Sequence, residues 1–216
     1  MLQSYATFIT IPYLLLLGFV LGLSGALIPG PLLFYTLNCA LKKGWRAGSE
    51  VIVGHAMVEV VVIMALISGF SGILVSHSFY KWSGIIGGVI LVYTAWRLNY
   101  IKSSEVDETS TLSSSTSTVL GGVVFTAFNP SFPAWWATVG IRMLWEGYEK
   151  IGYEGMLWVV VGHWIADFGW YIAIAHTTYR GSKRLISTHA EKILRRVIAL
   201  LLGCIGGYFI FTGVIS

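Results

Sequence analysis

An all-α integral membrane protein with six transmembrane helices is the fold class this chain predicts. The helices are expected as a 3+3 inverted-topology repeat, each half opening on a proline-broken helix. Three observations predict it. The 216 residues are 56% hydrophobic and 11% charged, where a soluble domain carries about 25% charged residues, and mean hydropathy is +0.75. Apolar segments long enough to cross a bilayer recur along the chain. Finally, Gly54-His55-Ala56-Met57-Val58-Glu59 returns as Gly162-His163-Trp164-Ile165-Ala166-Asp167, a Gly-His pair followed four residues on by a carboxylate. Residues at i and i+4 share one helical face, so each half of the chain presents one His–acid face inside an apolar span.

Taken in order, Met1–Leu41 holds no charged residue. As one helix it would run about 60 Å, twice a hydrocarbon core of about 30 Å. It must therefore break, and Pro29-Gly30-Pro31 is where prolines remove N–H groups and glycine permits the bend. A first span is expected near Phe8–Ile28, with Pro12 tolerated near its start. A half-helix from about Leu32 to Leu41 follows. Lys42, Lys43 and Arg46 make a basic loop before a second span over Gly48–Val75. Ser76–Lys81 reads as a short turn. The third span, Trp82–Ile101, carries Gly84, Gly87 and Gly88, small residues that let helices approach. Lys102–Thr118 is rich in Ser, Thr, Glu and Asp, a solvent-exposed linker. Val119–Ile141 is uncharged but interrupted by Asn129-Pro130 and Pro133, and irregular backbone at that depth must line protein or a cavity. Arg142–Glu154 reads as a mixed-charge loop, Gly155–Tyr179 as the fifth span, Arg180–Arg196 as a basic loop, and Val197–Ser216 as the sixth span with Gly203, Gly206 and Gly207.

The chain thus divides into a first repeat at 1–101, a cytoplasmic linker at 102–118 and a second repeat at 119–216, all within one membrane domain. Three spans per half is an odd number, so equivalent helices run in opposite senses, a pattern of secondary transporters. Eleven of the 14 Lys and Arg fall on one side by this assignment and three on the other. The positive-inside rule then places both termini outside and the linker inside a multi-pass cell-membrane protein. No basic residue precedes Lys42, so a cleaved signal peptide is not expected. The net charge of +4 reports orientation rather than nucleic-acid binding. Cys39 and Cys204 stand alone in apolar segments and read as small buried hydrophobes.

Glu59 and Asp167 lead the candidate site residues. A lone carboxylate in a bilayer is costly when ionised, so it takes up a proton readily and serves as a carrier. The alternative is a neutral acid hydrogen-bonded for packing. His55 and His163 either share a proton with the acid one turn on or are packed, satisfied histidines. Together the two pairs have the donors to ligate Zn²⁺ or Mn²⁺, but only if the two helices meet. Pro29, Gly30, Pro31, Asn129 and Pro130 are hinge or substrate-site candidates, because exposed helix ends hold carboxylate or ammonium groups. Trp164, Trp170 and Tyr171 either line a cavity beside Asp167 or pack the core, and Trp135 and Trp136 read as anchors or core.

Pro29-Gly30-Pro31, Asn129-Pro130 and Asp167-Phe168-Gly169-Trp170-Tyr171 follow one another in that order along the chain. On these residues the chain resembles the lysine-exporter family of amino-acid efflux proteins, whose P-G-P, N-P-K and D-x-x-W-Y patterns they fit over essentially the whole chain. Ser131 stands where many members have lysine, and the two Gly-His pairs are not a general family feature. The resemblance implies proton- or ion-driven export of small molecules, usually amino acids, while relatives in the wider superfamily move divalent metals. The expected function is a secondary transporter exporting amino acids or related metabolites. A divalent-cation exporter using both His–acid pairs is the first alternative, and a non-transporting membrane enzyme or accessory protein the second. No G-K-[ST] phosphate loop occurs, no cofactor is expected, and enzymatic activity is not expected. The partners are a small-molecule substrate, the bilayer and, as an open possibility, further copies of the chain.

Overall fold

The computed structural model describes residues 2–69, 77–100, 115–129, 131–184 and 188–215, and among them every regular element is helical. Helix α1 (Leu2–Ala26) runs unbroken past Pro12. It stops where Leu27 and Ile28 close the last turn onto Leu23 and Gly25 carbonyls. Gly30 is extended, and Pro31 opens α2 (Pro31–Lys43) at the position where its missing N–H costs nothing. The break expected at Pro29-Gly30-Pro31 is therefore present. Gly44 ends α2 with a φ of 88°, a conformation that glycine adopts without Cβ strain.

Helix α3 (Arg46–Ile67) carries His55 and Glu59. It is followed by α4 (His77–Tyr100) and α5 (Ser115–Ala127). The turn expected at Ser76–Lys81 is already helical from His77 onward. Residues 102–114 of the expected linker lie outside the described residues, and its last four, Ser115–Thr118, open α5. The second interruption falls after Ala127; Pro130 itself lies outside the described residues. Beyond it the chain forms α6 (Ser131–Trp135), a π turn at Trp136–Gly140 and α7 (Ile141–Ile151).

The segment Arg142–Glu154, expected as a loop, is thus mostly helix. Its charges follow helical spacing: Glu146 lies 3.9 Å from Arg142 and 3.9 Å from Lys150. Met143, Leu144 and Gly147 are buried between them. Mixed charge at four-residue spacing is one stripe of an amphipathic helix, which a charge count alone mistakes for a loop. Gly152 then turns the chain at a φ of 67° into α8 (Tyr153–Arg184), the carrier of His163 and Asp167. Helix α9 (Thr188–Ile215) completes the chain. Residues expected as a basic loop here extend these two helices, apart from 185–187, which lie outside the described residues.

Among the described residues, three helices are long and apolar enough to cross a membrane: Ile9–Ala26 within α1, Arg46–Ile67, and Tyr153–Gly181 within α8. Shorter apolar runs occupy Gly84–Trp96, Thr116–Ala127 and Ala199–Ile215. Large apolar side chains such as Leu16, Val61, Leu200 and Phe211 face outward while Glu59 and Asp167 are buried, the inside-out arrangement a bilayer favours. Cys39 is buried as expected, but Cys204 is exposed on α9. Its position on that helix faces the apolar exterior, which accepts a small thiol as readily as a core does.

Packing is by close backbone approach. Helix α1 lies along α8, α3 along α5, and α4 along α9, with α3 also touching α8. Glycines permit this. A Cβ on Gly162 would strike the Leu15 carbonyl of α1, and one on Gly54 would strike the Val119 carbonyl of α5. The glycine of each Gly-His pair is therefore the contact that seats its helix, and the histidine beside it is delivered inward.

Candidate functional site

Helices α3 and α8 cross with their His–acid faces toward each other. His163 Nε2 lies 2.8 Å from Glu59 Oε1 and 3.1 Å from Asp167 Oδ2. His55 Nε2 lies 3.1 Å from Glu59 Oε1 and 3.6 Å from Asp167 Oδ2. Four side chains from two distant segments thus form one quartet. Its acids are buried and His55 retains only a 12% exposed side chain.

The supports around the quartet are asymmetric. Trp164 Nε1 donates to Glu59 Oε2 at 2.9 Å, and Trp136 Nε1 donates to Glu59 Oε1 at 3.3 Å. Indole N–H groups only donate, so both oxygens of Glu59 are held as acceptors. Asp167 has no such support: its Oδ2 is buried without a hydrogen-bond partner. An imidazole Nε2 carries one proton at most, and that of His163 is spent on the shorter contact to Glu59. His55 Nδ1 meets Thr126 Oγ1 at 3.0 Å, which fixes its ring. Trp135 stacks on the His163 ring at a centroid distance of 5.0 Å. Phe132 meets His55 edge-on at 5.4 Å.

The quartet opens onto a cavity of about 60 Å³. Both chain breaks reach it. Gly30 lines it from the first break, and Asn129 and Ser131 from the second. Asn129 Oδ1 accepts from Ser131 N at 3.2 Å and from Ser131 Oγ at 2.8 Å, an Asx turn that leads into the new helical start. The breaks also face each other, since a Cβ on Gly30 would come within 3.4 Å of Asn129 Nδ2.

Of the expected site residues, His55, Glu59, His163, Asp167, Gly30, Asn129 and Tyr171 line this cavity. Pro31 is buried at the start of α2 and shapes the break rather than the wall. Pro29 belongs to the break without lining the cavity. Trp170 packs against the core cluster that contains Tyr171, with Nε1 buried and unpartnered. Pro130 lies outside the described residues. Trp136 and Thr126, which reasoning from the sequence did not single out as site residues, hold Glu59 and His55. Trp136 carried a signal, a donor-only side chain beside a proline break, whereas Thr126 carried none.

This chain belongs to the family described as LysE type translocator, whose family model matches residues 23–213, most of the chain. No curated protein and no solved structure matches it. The family is one of membrane transporters rather than enzymes, and membership makes the chain an efflux transporter of small solutes.

Proposed function

We propose that this protein is a secondary transporter that exports a small, positively charged solute across the cell membrane. The solute is an amino acid engaged through its ammonium group, or a metal ion, and a proton or ion gradient drives the movement. The observation that carries this reading is the convergence of two carboxylates and two imidazoles in a buried cavity between two broken apolar segments. Ionisable groups in membrane spans are costly and mark solute or proton paths. The carboxylates supply negative charge and, with the imidazoles, the lone pairs that a cation engages.

The packing supports the 3+3 inverted repeat, with halves at 1–101 and 119–216 joined by the linker at 102–118. The second member of the first half, α3, lies on α5, which opens the second half; α8 lies on α1 in the same crossed sense, and α4 lies on α9. A two-fold relation between halves produces such crossed pairing, and rocking of one half against the other exposes a central site alternately. The uneven spread of Lys and Arg supports both termini outside.

The test is flux from proteoliposomes under an imposed proton gradient, for the parent and for Glu59→Gln and Asp167→Asn. These amides keep shape and hydrogen bonding but remove the titratable carboxylate. Loss of gradient-driven flux in each is expected. Parental flux in both would remove the quartet from the mechanism and leave the Gly-His-acid repeat as packing alone.

A further inference from the structure

Beside the quartet stands a cavity of about 60 Å³, room for a bare ion or a few waters. In its wall His55 Nε2 lies 3.1 Å from Glu59 Oε1 and 3.6 Å from Asp167 Oδ2. Ligands about 2.0–2.1 Å from a tetrahedral Zn²⁺ stand about 3.3–3.4 Å apart. These two separations bracket that value.

Hydrogen bonding by itself leaves this arrangement incomplete. Each Nε2 offers one proton to two carboxylates, and Asp167 Oδ2 is left buried and unpartnered. A cation resolves the mismatch, because His55 Nε2, Glu59 Oε1 and Asp167 Oδ2 can then present lone pairs to one centre. We infer that His55 Nε2, Glu59 Oε1 and Asp167 Oδ2 form a binding site for a first-row divalent transition-metal cation, and that such a cation is the exported solute. The inference rests on the export reading above and names its substrate class.

The chemistry of the surroundings agrees. Two carboxylate charges match one divalent cation. A mixed imidazole–carboxylate set suits Zn²⁺, Fe²⁺ or Mn²⁺, whereas Mg²⁺ prefers oxygen ligands and retains its waters. Metal-bound histidines generally fix the ring through the other nitrogen, and His55 Nδ1 does so on Thr126 Oγ1 at 3.0 Å. Glu59 has its second oxygen held by Trp164 Nε1 at 2.9 Å, which leaves Oε1 directed at the quartet. His55, Glu59 and Asp167 offer ligand atoms all within 4.8 Å of one another. His163 Nε2, 2.8 Å from Glu59 Oε1 and 3.1 Å from Asp167 Oδ2, stands beside this set and holds both carboxylates.

The experiment uses the full-length protein with any affinity tag removed, in detergent and in proteoliposomes. Equilibrium dialysis against Zn²⁺, Mn²⁺ and Mg²⁺ is run for the parent, for His55→Asn, Glu59→Gln, His163→Asn and Asp167→Asn, and for the control His176→Asn. One Zn²⁺ or Mn²⁺ per chain is expected, with affinity reduced about tenfold or more in each of the four variants and unchanged in the control. X-ray absorption of the Zn²⁺-loaded parent should show nitrogen and oxygen ligands at about 2.0–2.1 Å with imidazole scattering; this arm does not depend on any variant folding. Metal binding equal in the parent and the four variants, or an absorption spectrum without imidazole, overturns the inference. Flux of Zn²⁺ and of a labelled amino-acid mixture is measured in the same vesicles. Amino-acid export that Asp167→Asn abolishes, with no metal flux, defeats the metal inference and leaves the export reading standing. Movement of neither solute defeats both.

Discussion

Replacing Gly22 by alanine probes the contact that places His163. A Cβ at Gly22 would meet three atoms of His163: Nδ1 at 2.8 Å, Cα at 3.0 Å and the carbonyl oxygen at 3.1 Å. Two of the three are backbone, so rotation of the imidazole cannot relieve the contact. Ordinary contact begins at 3.4 Å, so α1 and α8 must separate by about 0.5 Å, a gap that already forfeits a quarter or more of the local dispersion energy. Carried through to Nε2, that displacement would stretch the 2.8 Å contact with Glu59 to the long end of hydrogen-bond geometry and the 3.1 Å contact with Asp167 past it. Two effects on stability oppose each other. Alanine favours the helix over glycine by about 1 kcal/mol, and overpacking costs about 1–3 kcal/mol. The net expectation is a modest loss of stability and a larger loss of transport. A misplacement of about 1 Å costs about 100-fold in a positioned site, so about half that shift should lower flux about tenfold. The assays are proteoliposome flux and thermal unfolding in detergent. Gly169→Ala on the same helix, where a Cβ would meet nothing within 4 Å, is the control. Parental flux in Gly22→Ala, equal to that of Gly169→Ala, would refute the account of how His163 is placed.

Three further outcomes are expected. Asn129→Ala removes the acceptor of both Ser131 bonds, and should destabilise the protein by about 1 kcal/mol, with Asn129→Ser recovering part of the loss; an unchanged unfolding midpoint in the alanine variant would show that the turn contributes nothing. Replacing Pro29, Gly30 and Pro31 together by alanine favours a continuous helix and should stop flux while the protein still inserts, and export at the parental rate would reduce the break to a packing detail. Single cysteines at Ser4, Ser114 and Ser216, in a variant without Cys39 and Cys204, report orientation: an impermeant reagent should label the two ends in intact cells, and labelling of Ser114 alone would invert the assignment.

The broken first segment was legible in the sequence because its cause is covalent. Proline lacks an N–H and fixes φ wherever it occurs, so Pro31 begins α2 as expected. The face shared by His55 and Glu59, and that shared by His163 and Asp167, were legible for a similar reason: helical periodicity is local. Arg142–Glu154 was misread because charge was taken as a sign of a loop, although the i, i+4 spacing of Arg142, Glu146 and Lys150 was present in the same residues. The role of Trp136 depended on a π turn that no local pattern announces.

From the sequence alone came the apolar spans, the two breaks, the family resemblance and the pairing of each histidine with its own acid, all of which depend on covalent structure or on neighbours within one turn. The tertiary structure decided that the two pairs are one site. His163 and Glu59 are 104 residues apart and 2.8 Å from contact atom to contact atom, a distance set by how closely α1, α3, α5 and α8 pack. That closeness depends on Gly18, Gly22, Gly54 and Gly162 having no Cβ where a neighbouring helix passes. A missing side chain has no consequence until a second helix arrives to occupy its place.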